Sequence, residues 1–92
     1  MITDAFEWDD AKASSNFHKH GISFRAASLA FDDAMALIEP DDTEDYGEDR
    51  FLAIGMANHL LMAVVFTARG SRIRIISARK ANSHEQRNYR RI

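Results

Sequence analysis

Residues 51 to 80 read FLAIGMANHLLMAVVFTARGSRIRIISARK, and this stretch decides the fold of the 92-residue chain. It contains three largely apolar runs, at Phe51–Ala57, 60–68 and Arg72–Lys80, separated by two short breaks at 58–59 and 69–71. Breaks of two or three residues join antiparallel neighbours. The stretch therefore predicts a three-stranded antiparallel meander. The first two strands are apolar at nearly every position, so we expect them to be covered on much of both faces.

The segment before the meander begins with a short strand and a helix. Residues 6–8 are interpreted as extended, and the acidic pair Asp9 and Asp10 suits the positive end of a helix that runs to about His20. Gly21 follows, and glycine commonly ends a helix in the left-handed conformation. The helical wheel predicts an apolar stripe that includes Phe17, with His20 at its edge.

The remaining elements complete an α+β pattern. Ser23 is an N-cap residue for a second helix over 24–31, and AMALIE at 34–39 is a short strand candidate. Ser83 and Gln86 fit a capping box that opens a terminal helix reaching the end of the sequence. The predicted fold class is α+β, with two N-terminal helices and a C-terminal helix packed on a mostly antiparallel sheet.

Length and composition predict one domain, covering residues 1–92. No cysteine is present, so disulfides and thiolate metal sites are excluded. The first ten residues, MITDAFEWDD, lack the basic and apolar regions of a signal peptide, and no apolar segment reaches membrane-spanning length. We expect a cytoplasmic protein without a membrane partner.

Charge is divided unevenly along the chain. Residues 1–68 hold four Lys or Arg against thirteen Asp or Glu, a net of −9, whereas residues 69–92 hold eight against one, a net of +7. Seven of those eight are arginines, whose planar fork suits phosphate. The basic quarter therefore indicates an anionic partner. The alternative is that these arginines pair with the acidic stretch 40–49, PDDTEDYGED.

Two histidines lie close together at the end of the first helix, but they do not indicate a metal site. His18 and His20 are two residues apart, so their side chains diverge on a helix, and the sequence has no HExxH or cysteine pairing. No metal or other cofactor is expected. His20 is either a half-buried histidine at the helix C-terminus or a group for acid–base chemistry near neutral pH. Spacing alone leaves both interpretations open.

Four segments together resemble the BrnT family of type II toxins: FEWD at 6–9, NFHKHGISF at 16–24, DYGEDRFLAIG at 45–55 and RIRIISARKA at 72–81. The resemblance implies a RelE-like fold and a ribonuclease that arrests growth by cleaving RNA. It also implies a BrnA-type antitoxin partner with a ribbon-helix-helix DNA-binding domain, through which alone the complex would reach operator DNA.

The implied chemistry is metal-independent. The RNA 2′-hydroxyl attacks its own phosphodiester while the protein stabilises the oxyanion and moves two protons. His20 is the candidate acid or base, and Arg74 and Arg79 are the candidate phosphate and transition-state contacts. Strict alternation along the third meander strand places Arg74 and Arg79 on opposite faces unless a bulge intervenes, so one of them would be structural.

Three further residues are candidate substrate contacts. Lys19 and Arg69 are expected to bind phosphate, and Tyr89 is expected to stack on a base. Trp8 is another stacking candidate, although a tryptophan beside an apolar strand more often belongs to the core.

Two other functions fit the same sequence. The first is a non-catalytic nucleic-acid or protein binding module that uses the basic face. The second is a small metal-dependent hydrolase, which is disfavoured because recognisable ligands are absent. RNA binding without cleavage would favour the binding module.

Overall fold

Five strands and three α-helices are present in the computed structural model, which describes residues 1–42 and 47–90. They are, in chain order, β1 (Phe6–Glu7), α1 (Asp10–His20), α2 (Phe24–Ser28) followed by a 3₁₀ turn (Leu29–Asp32), β2 (Leu37–Pro40), β3 (Phe51–Ala57), β4 (Leu60–Arg69), β5 (Arg72–Lys80) and α3 (Ser83–Tyr89). The α+β class and the helix order are confirmed. Residues 43–46 of the acidic stretch, and residues 91–92 of the predicted terminal helix, lie outside the described residues.

The strands form one sheet in the order β1-β5-β4-β3-β2. Strands β2 to β5 pair antiparallel, as the meander predicts, and the β3–β4 turn has positive φ at Asn58 and His59. This is the conformation of a tight hairpin turn. Strand β1 adds a parallel pair to β5, with Phe6 opposite Ile73 and Glu7 opposite Arg74. The sheet is therefore mostly antiparallel.

A β-bulge interrupts the pairing of β4 with β5. Val65 lies opposite Ser77 and Phe66 lies opposite Ile75, so Ile76 is an extra residue on β5. One extra residue reverses the alternation of side chains beyond it. Strict alternation predicts that Arg74 and Arg79 lie on opposite faces of the sheet unless a bulge intervenes. Because this bulge is present, residues 74, 77 and 79 share a face.

The hydrophobic core lies on the other face, under α2 and the 3₁₀ turn. Its buried residues are Trp8, Ile22, Phe24, Ala27, Ala30, Ala53, Ala57, Met62, Val64, Phe66, Ile75 and Ala78. Trp8 is only 9% exposed and meets Phe24 edge-on, with ring centroids 6.1 Å apart. It is a core residue, so it is not available to stack on a base. A Cβ at Gly55 would lie 2.6 Å from the carbonyl oxygen of Ala30, which shows how closely the 3₁₀ turn approaches β3.

Two helix boundaries agree with their expected caps. The Asp9 carboxylate accepts from the backbone N–H of Lys12 at the start of α1, and Gly21 ends the helix with φ 73°. Ser23 caps α2 through the N–H of Ala26. The α2 helix itself stops at Ser28, and the rest of the predicted segment is the tighter 3₁₀ turn.

The predicted starts of β2 and α3 were wrong. The strand expected from residue 34 begins at Leu37, because the Asp33 carboxylate accepts the N–H of Met35 and holds a turn there. The capping box of α3 is formed by Asn82 and Glu85, one residue before the expected pair. Asn82 Oδ1 accepts from the Glu85 N–H at 2.9 Å, and Glu85 Oε1 accepts from the Asn82 N–H at 2.9 Å. Asn and Glu satisfy this motif as well as Ser and Gln.

The orientation of α1 also corrects the helical wheel. Phe17 is 53% exposed, whereas Asn16 is only 8% exposed and faces the sheet. The cause is a hydrogen-bonding requirement. β1 pairs with β5 only at residues 73 and 74, so the later backbone groups on that edge of β5 need another partner. The amide of Asn16 supplies it.

Candidate functional site

The side chain of Asn16 joins α1 to the outer edge of β5. Its Nδ2 donates to the carbonyl oxygen of Ala78 at 2.9 Å and to that of Ile22 at 3.1 Å, while its Oδ1 accepts from the Ala78 N–H at 3.2 Å. The amide therefore bonds Ala78 as a neighbouring strand would. This contact fixes the last turn of α1 beside residues 76 and 77.

A groove of about 240 Å³ runs between α1 and β5, and we call it the α1–β5 groove. It is lined by Lys12, Ser15, Asn16, Lys19, His20, Ile76 and Ser77. Lys19 and His20 therefore do come together. The side chains supply two ammonium groups, an imidazole and two hydroxyls, a set of groups that suits a phosphodiester. His20 is exposed at the end of α1 rather than half-buried.

The face of the sheet opposite the core carries Arg74, Ser77 and Arg79, and we call it the arginine face. Ser77 also lines the α1–β5 groove. Along the strand, Ser77 and Arg79 are two residues apart, which corresponds to about 7 Å. An arginine side chain spans a similar length. The groove and the arginine face therefore meet at Ser77, where one phosphate could contact groups from both.

Arg79 forms a two-pronged ion pair with Glu85. Its Nη1 donates to Oε1 at 2.7 Å and its Nη2 donates to Oε2 at 2.9 Å. The hydrogen bond raises the pKa of Arg79 above its ordinary value and lowers the pKa of Glu85 below its ordinary value. The arginine side chain stays 38% exposed while that of Glu85 is 8% exposed. Glu85 thus holds one edge of the Arg79 guanidinium, and part of the arginine side chain stays open to solvent.

Arg74 is also paired, on the other side of Ser77. Its Nη1 donates to the carboxylate of Glu7 at 2.7 Å, and both side chains are partly buried. This contact follows from the parallel pairing that sets Glu7 opposite Arg74. Both candidate catalytic arginines therefore have a structural contact in addition to any contact with substrate.

The other two candidate substrate contacts lie away from the groove. Arg69 ends β4 opposite Arg72, and seven residues of β5 separate that turn from Arg79, which corresponds to about 23 Å. Arg69 lies 3.6 Å from Glu48, so for this residue the alternative of pairing with the acidic stretch holds.

Tyr89, at the end of α3, donates its hydroxyl to Asp33 at 2.5 Å. This hydrogen bond raises the pKa of Tyr89 and lowers the pKa of Asp33. The Asp33 carboxylate also accepts the N–H of Met56 on β3, so it ties the end of α3 to the edge of the sheet. Tyr89 is therefore fixed over β3 and is not part of the groove.

Sequence reasoning did not identify Asn16, Ser77 and Glu85 as parts of the site. For Glu85 a signal was present, because Asn82 and Glu85 have capping-box spacing and Glu85 is the one acidic residue after position 68. Ser77 depends on the bulge, for which the sequence contains no clear marker. Asn16 depends on which strand edge the helix meets, which is a tertiary property.

Within residues 1–42 and 47–90, no three His, Asp or Glu side chains converge as a metal site would require. Among the helices of this described part, none is long and apolar enough to cross a membrane.

Comparison with known proteins gives one family. The sequence model of the family "Ribonuclease toxin, BrnT, of type II toxin-antitoxin system" matches residues 8–85. The match begins at Trp8, directly after β1, and ends in the first turn of α3, so it includes the α1–β5 groove, Arg74, Arg79 and Glu85. Among curated proteins, none matches the sequence.

Proposed function

Because this chain belongs to the BrnT family of ribonuclease toxins of type II toxin-antitoxin systems, we propose that it is an endoribonuclease that cleaves RNA without a metal ion. The reaction site is the junction of the α1–β5 groove with the arginine face. The observation that carries this proposal is the bulge at Ile76, since it turns Ser77 and Arg79 onto the same face as Arg74.

The chemistry follows from the groups at that junction. The 2′-oxygen of the RNA forms a bond to the adjacent phosphorus, the bond from phosphorus to the 5′-oxygen breaks, and a 2′,3′-cyclic phosphate remains. One proton leaves the attacking hydroxyl and one joins the departing oxygen. His20 performs one of these transfers, because an imidazole exchanges protons near neutral pH.

The cationic groups stabilise the phosphorane-like oxyanion. Arg79 and Arg74 approach it from the sheet, and Lys19 contacts the RNA backbone along the α1–β5 groove. Removal of a single such donor lowers the rate by about 10²- to 10³-fold when it acts like an oxyanion-hole group. Arg69 and Tyr89 contact RNA only beyond the scissile phosphate, given their positions at the β4–β5 turn and over β3.

The biological setting is part of the proposal. RNA cleavage by this single domain, which we propose to be RelE-like and cytoplasmic, arrests growth. A BrnA-type antitoxin with a ribbon-helix-helix domain neutralises it by covering the arginine face, and operator DNA is contacted only through that antitoxin. Charge reversal at Arg74, Arg79 and Arg87 should weaken the complex. Unchanged affinity in all three variants would contradict this binding mode.

Cleavage of free RNA in EDTA tests the enzymatic proposal. We expect the wild type to cleave, and His20→Ala and Arg79→Ala to lose activity while remaining folded by circular dichroism. His18→Ala and Arg25→Ala are matched controls, because both residues are exposed and lie outside the groove. Equal cleavage by all variants would refute the catalytic assignment, and activity abolished by EDTA would refute metal independence.

A non-catalytic RNA-binding module is the second candidate. The observation in its favour is that Arg74 and Arg79 both carry carboxylate partners, which reduces the charge available to a transition state. RNA binding that depends on Lys19, with no cleavage at any protein concentration and no product in the presence of ribosomes, would support this candidate over the enzyme.

A further inference from the structure

We infer that Glu85 is a positioning residue for RNA cleavage: it holds the guanidinium of Arg79 so that a second edge of that group faces the scissile phosphate. This inference rests on the proposed function. It concerns a buried carboxylate that the reaction does not contact directly, and it assigns a role to the first turn of α3.

The carboxylate of Glu85 is fixed from two directions. Oε1 accepts both from Arg79 Nη1 and from the backbone N–H of Asn82, and Oε2 accepts from Arg79 Nη2. The Glu85 backbone N–H in turn donates to Asn82 Oδ1, which completes the capping box of α3. Because the side chain is 8% exposed, little room is left for another rotamer. The backbone N–H of Asn82 and the buried position thus hold the carboxylate, and neither depends on the side chain of Asn82.

The geometry leaves a usable edge on Arg79. A guanidinium carries five N–H donors, which form an end-on fork from Nη1 and Nη2 and a side-on fork from Nε and Nη2. Glu85 occupies the end-on fork. Among the described residues, Nε of Arg79 has no hydrogen-bond partner, and a further bond of Nη1 reaches only the Lys80 carbonyl at 3.4 Å. The side-on fork is therefore available for two phosphate oxygens.

Fixing the arginine matters because it would otherwise sample many rotamers. A donor that is already oriented stabilises developing charge without reorganising during the reaction. Glu85 also offsets part of the positive charge of Arg79, so its removal strengthens attraction to ground-state RNA while it loosens the geometry. Removal of Glu85 should therefore lower kcat through poorer alignment without raising KM, which separates positioning from simple loss of structure.

The test compares Glu85→Gln with Asn82→Ala in the cleavage assay. Glu85→Gln removes the charged two-pronged contact, whereas Asn82→Ala removes only the side-chain bond to the Glu85 N–H and keeps the three hydrogen bonds that the carboxylate accepts. We expect kcat of Glu85→Gln to fall by about 10- to 100-fold, as for a misplaced catalytic group, with KM unchanged or lower. Asn82→Ala should keep kcat within about threefold, and Glu85→Asp should recover part of the loss.

A double variant shows whether Glu85 acts through Arg79. Once Arg79→Ala is present, adding Glu85→Gln should not lower the rate further, because groups that act as one unit are not additive. Equal losses in Glu85→Gln and Asn82→Ala, or an unchanged kcat in Glu85→Gln while Arg79→Ala is inactive, would overturn the inference and leave the proposed function standing. A wild type that does not cleave RNA would overturn both.

Discussion

Replacement of Asn16 tests how α1 is attached to the sheet. The amide makes three hydrogen bonds in a buried position: two donated to the carbonyl oxygens of Ile22 and Ala78, and one accepted from the Ala78 N–H. Asn16→Ala removes all three. Asn16→Asp keeps the acceptor for the Ala78 N–H, but it directs a carboxylate oxygen at two carbonyl oxygens that had received donors.

The magnitudes follow from these bonds. At roughly 1 kcal/mol net for each bond, Asn16→Ala loses about 3 kcal/mol. The better helix propensity of alanine returns roughly 0.5 kcal/mol, so the free energy of unfolding should fall by about 2.5 kcal/mol. Asn16→Asp should cost about 1 to 2 kcal/mol more at pH 7, because a carboxylate is desolvated beside like partial charges.

The difference between the two variants should depend on pH. Burial and the two carbonyl oxygens raise the folded-state pKa of the introduced carboxyl above its reference value of about 3.9. The extra destabilisation is then full at neutral pH and shrinks as pH falls, because the protonated acid regains a donor.

Urea unfolding followed by circular dichroism, at pH 7 and again near pH 4.5, measures these free energies. Ser14→Ala is the matched control, since Ser14 is an exposed residue of the same helix, and it should change stability by less than about 0.5 kcal/mol. Loss of less than about 1 kcal/mol in Asn16→Ala, or equal stability of the alanine and aspartate variants at pH 7, would refute the proposed attachment.

Three further predictions concern packing, pH and salt. Gly55→Ala should destabilise the protein by about 1–3 kcal/mol in the same urea assay, because the added Cβ would lie 2.6 Å from the backbone oxygen of Ala30. Gly21→Ala should cost only about 1 kcal/mol, because its Cβ would lie in open space and only the positive φ is unfavourable. The pKa values of Glu85 and Asp33 are lowered in the folded state, so their stabilisation is complete above the unfolded pKa values of about 4 and is lost as pH falls. A wild-type free energy of unfolding that stays constant from pH 6 to pH 3 would contradict this. Lys19→Ala should reduce the slope of log affinity against log salt for single-stranded RNA by about 0.7, as measured by fluorescence anisotropy, and an unchanged slope would show that Lys19 does not contact phosphate.

The meander was predictable because its signals are local. Its polar breaks fall at turns, and β3 and β5 begin and end at the residues their apolar runs suggest. The end of α1 was equally local, since a positive φ at that position favours Gly21. The parallel pairing of β1 was not predicted, because it joins residues more than sixty positions apart and a two-residue strand carries almost no periodic signal.

The site was predictable only in its residue types. A basic third strand and a histidine at a helix end were evident from the sequence, but their relation to one another depends on the extra residue Ile76 in β5. The orientation of α1 also escaped the helical wheel. A wheel ranks Phe17 above Asn16 for burial, because it cannot register the unpaired backbone groups of a strand edge that one side-chain amide satisfies.

The carboxylates beside Arg74 and Arg79 have a consequence for the speed of encounter with RNA. Each arginine faces an acidic partner, and the whole chain carries a formal net charge of −2, so the positive field outside the site is limited to that of the two groove lysines, Lys12 and Lys19. Rapid capture of a polyanion depends on such a field, and without it association proceeds at about 10⁵ to 10⁶ M⁻¹s⁻¹. We therefore expect slow, weakly steered association with RNA. Selectivity would then arise after collision, when a phosphate is aligned between the fixed donors of the arginine face.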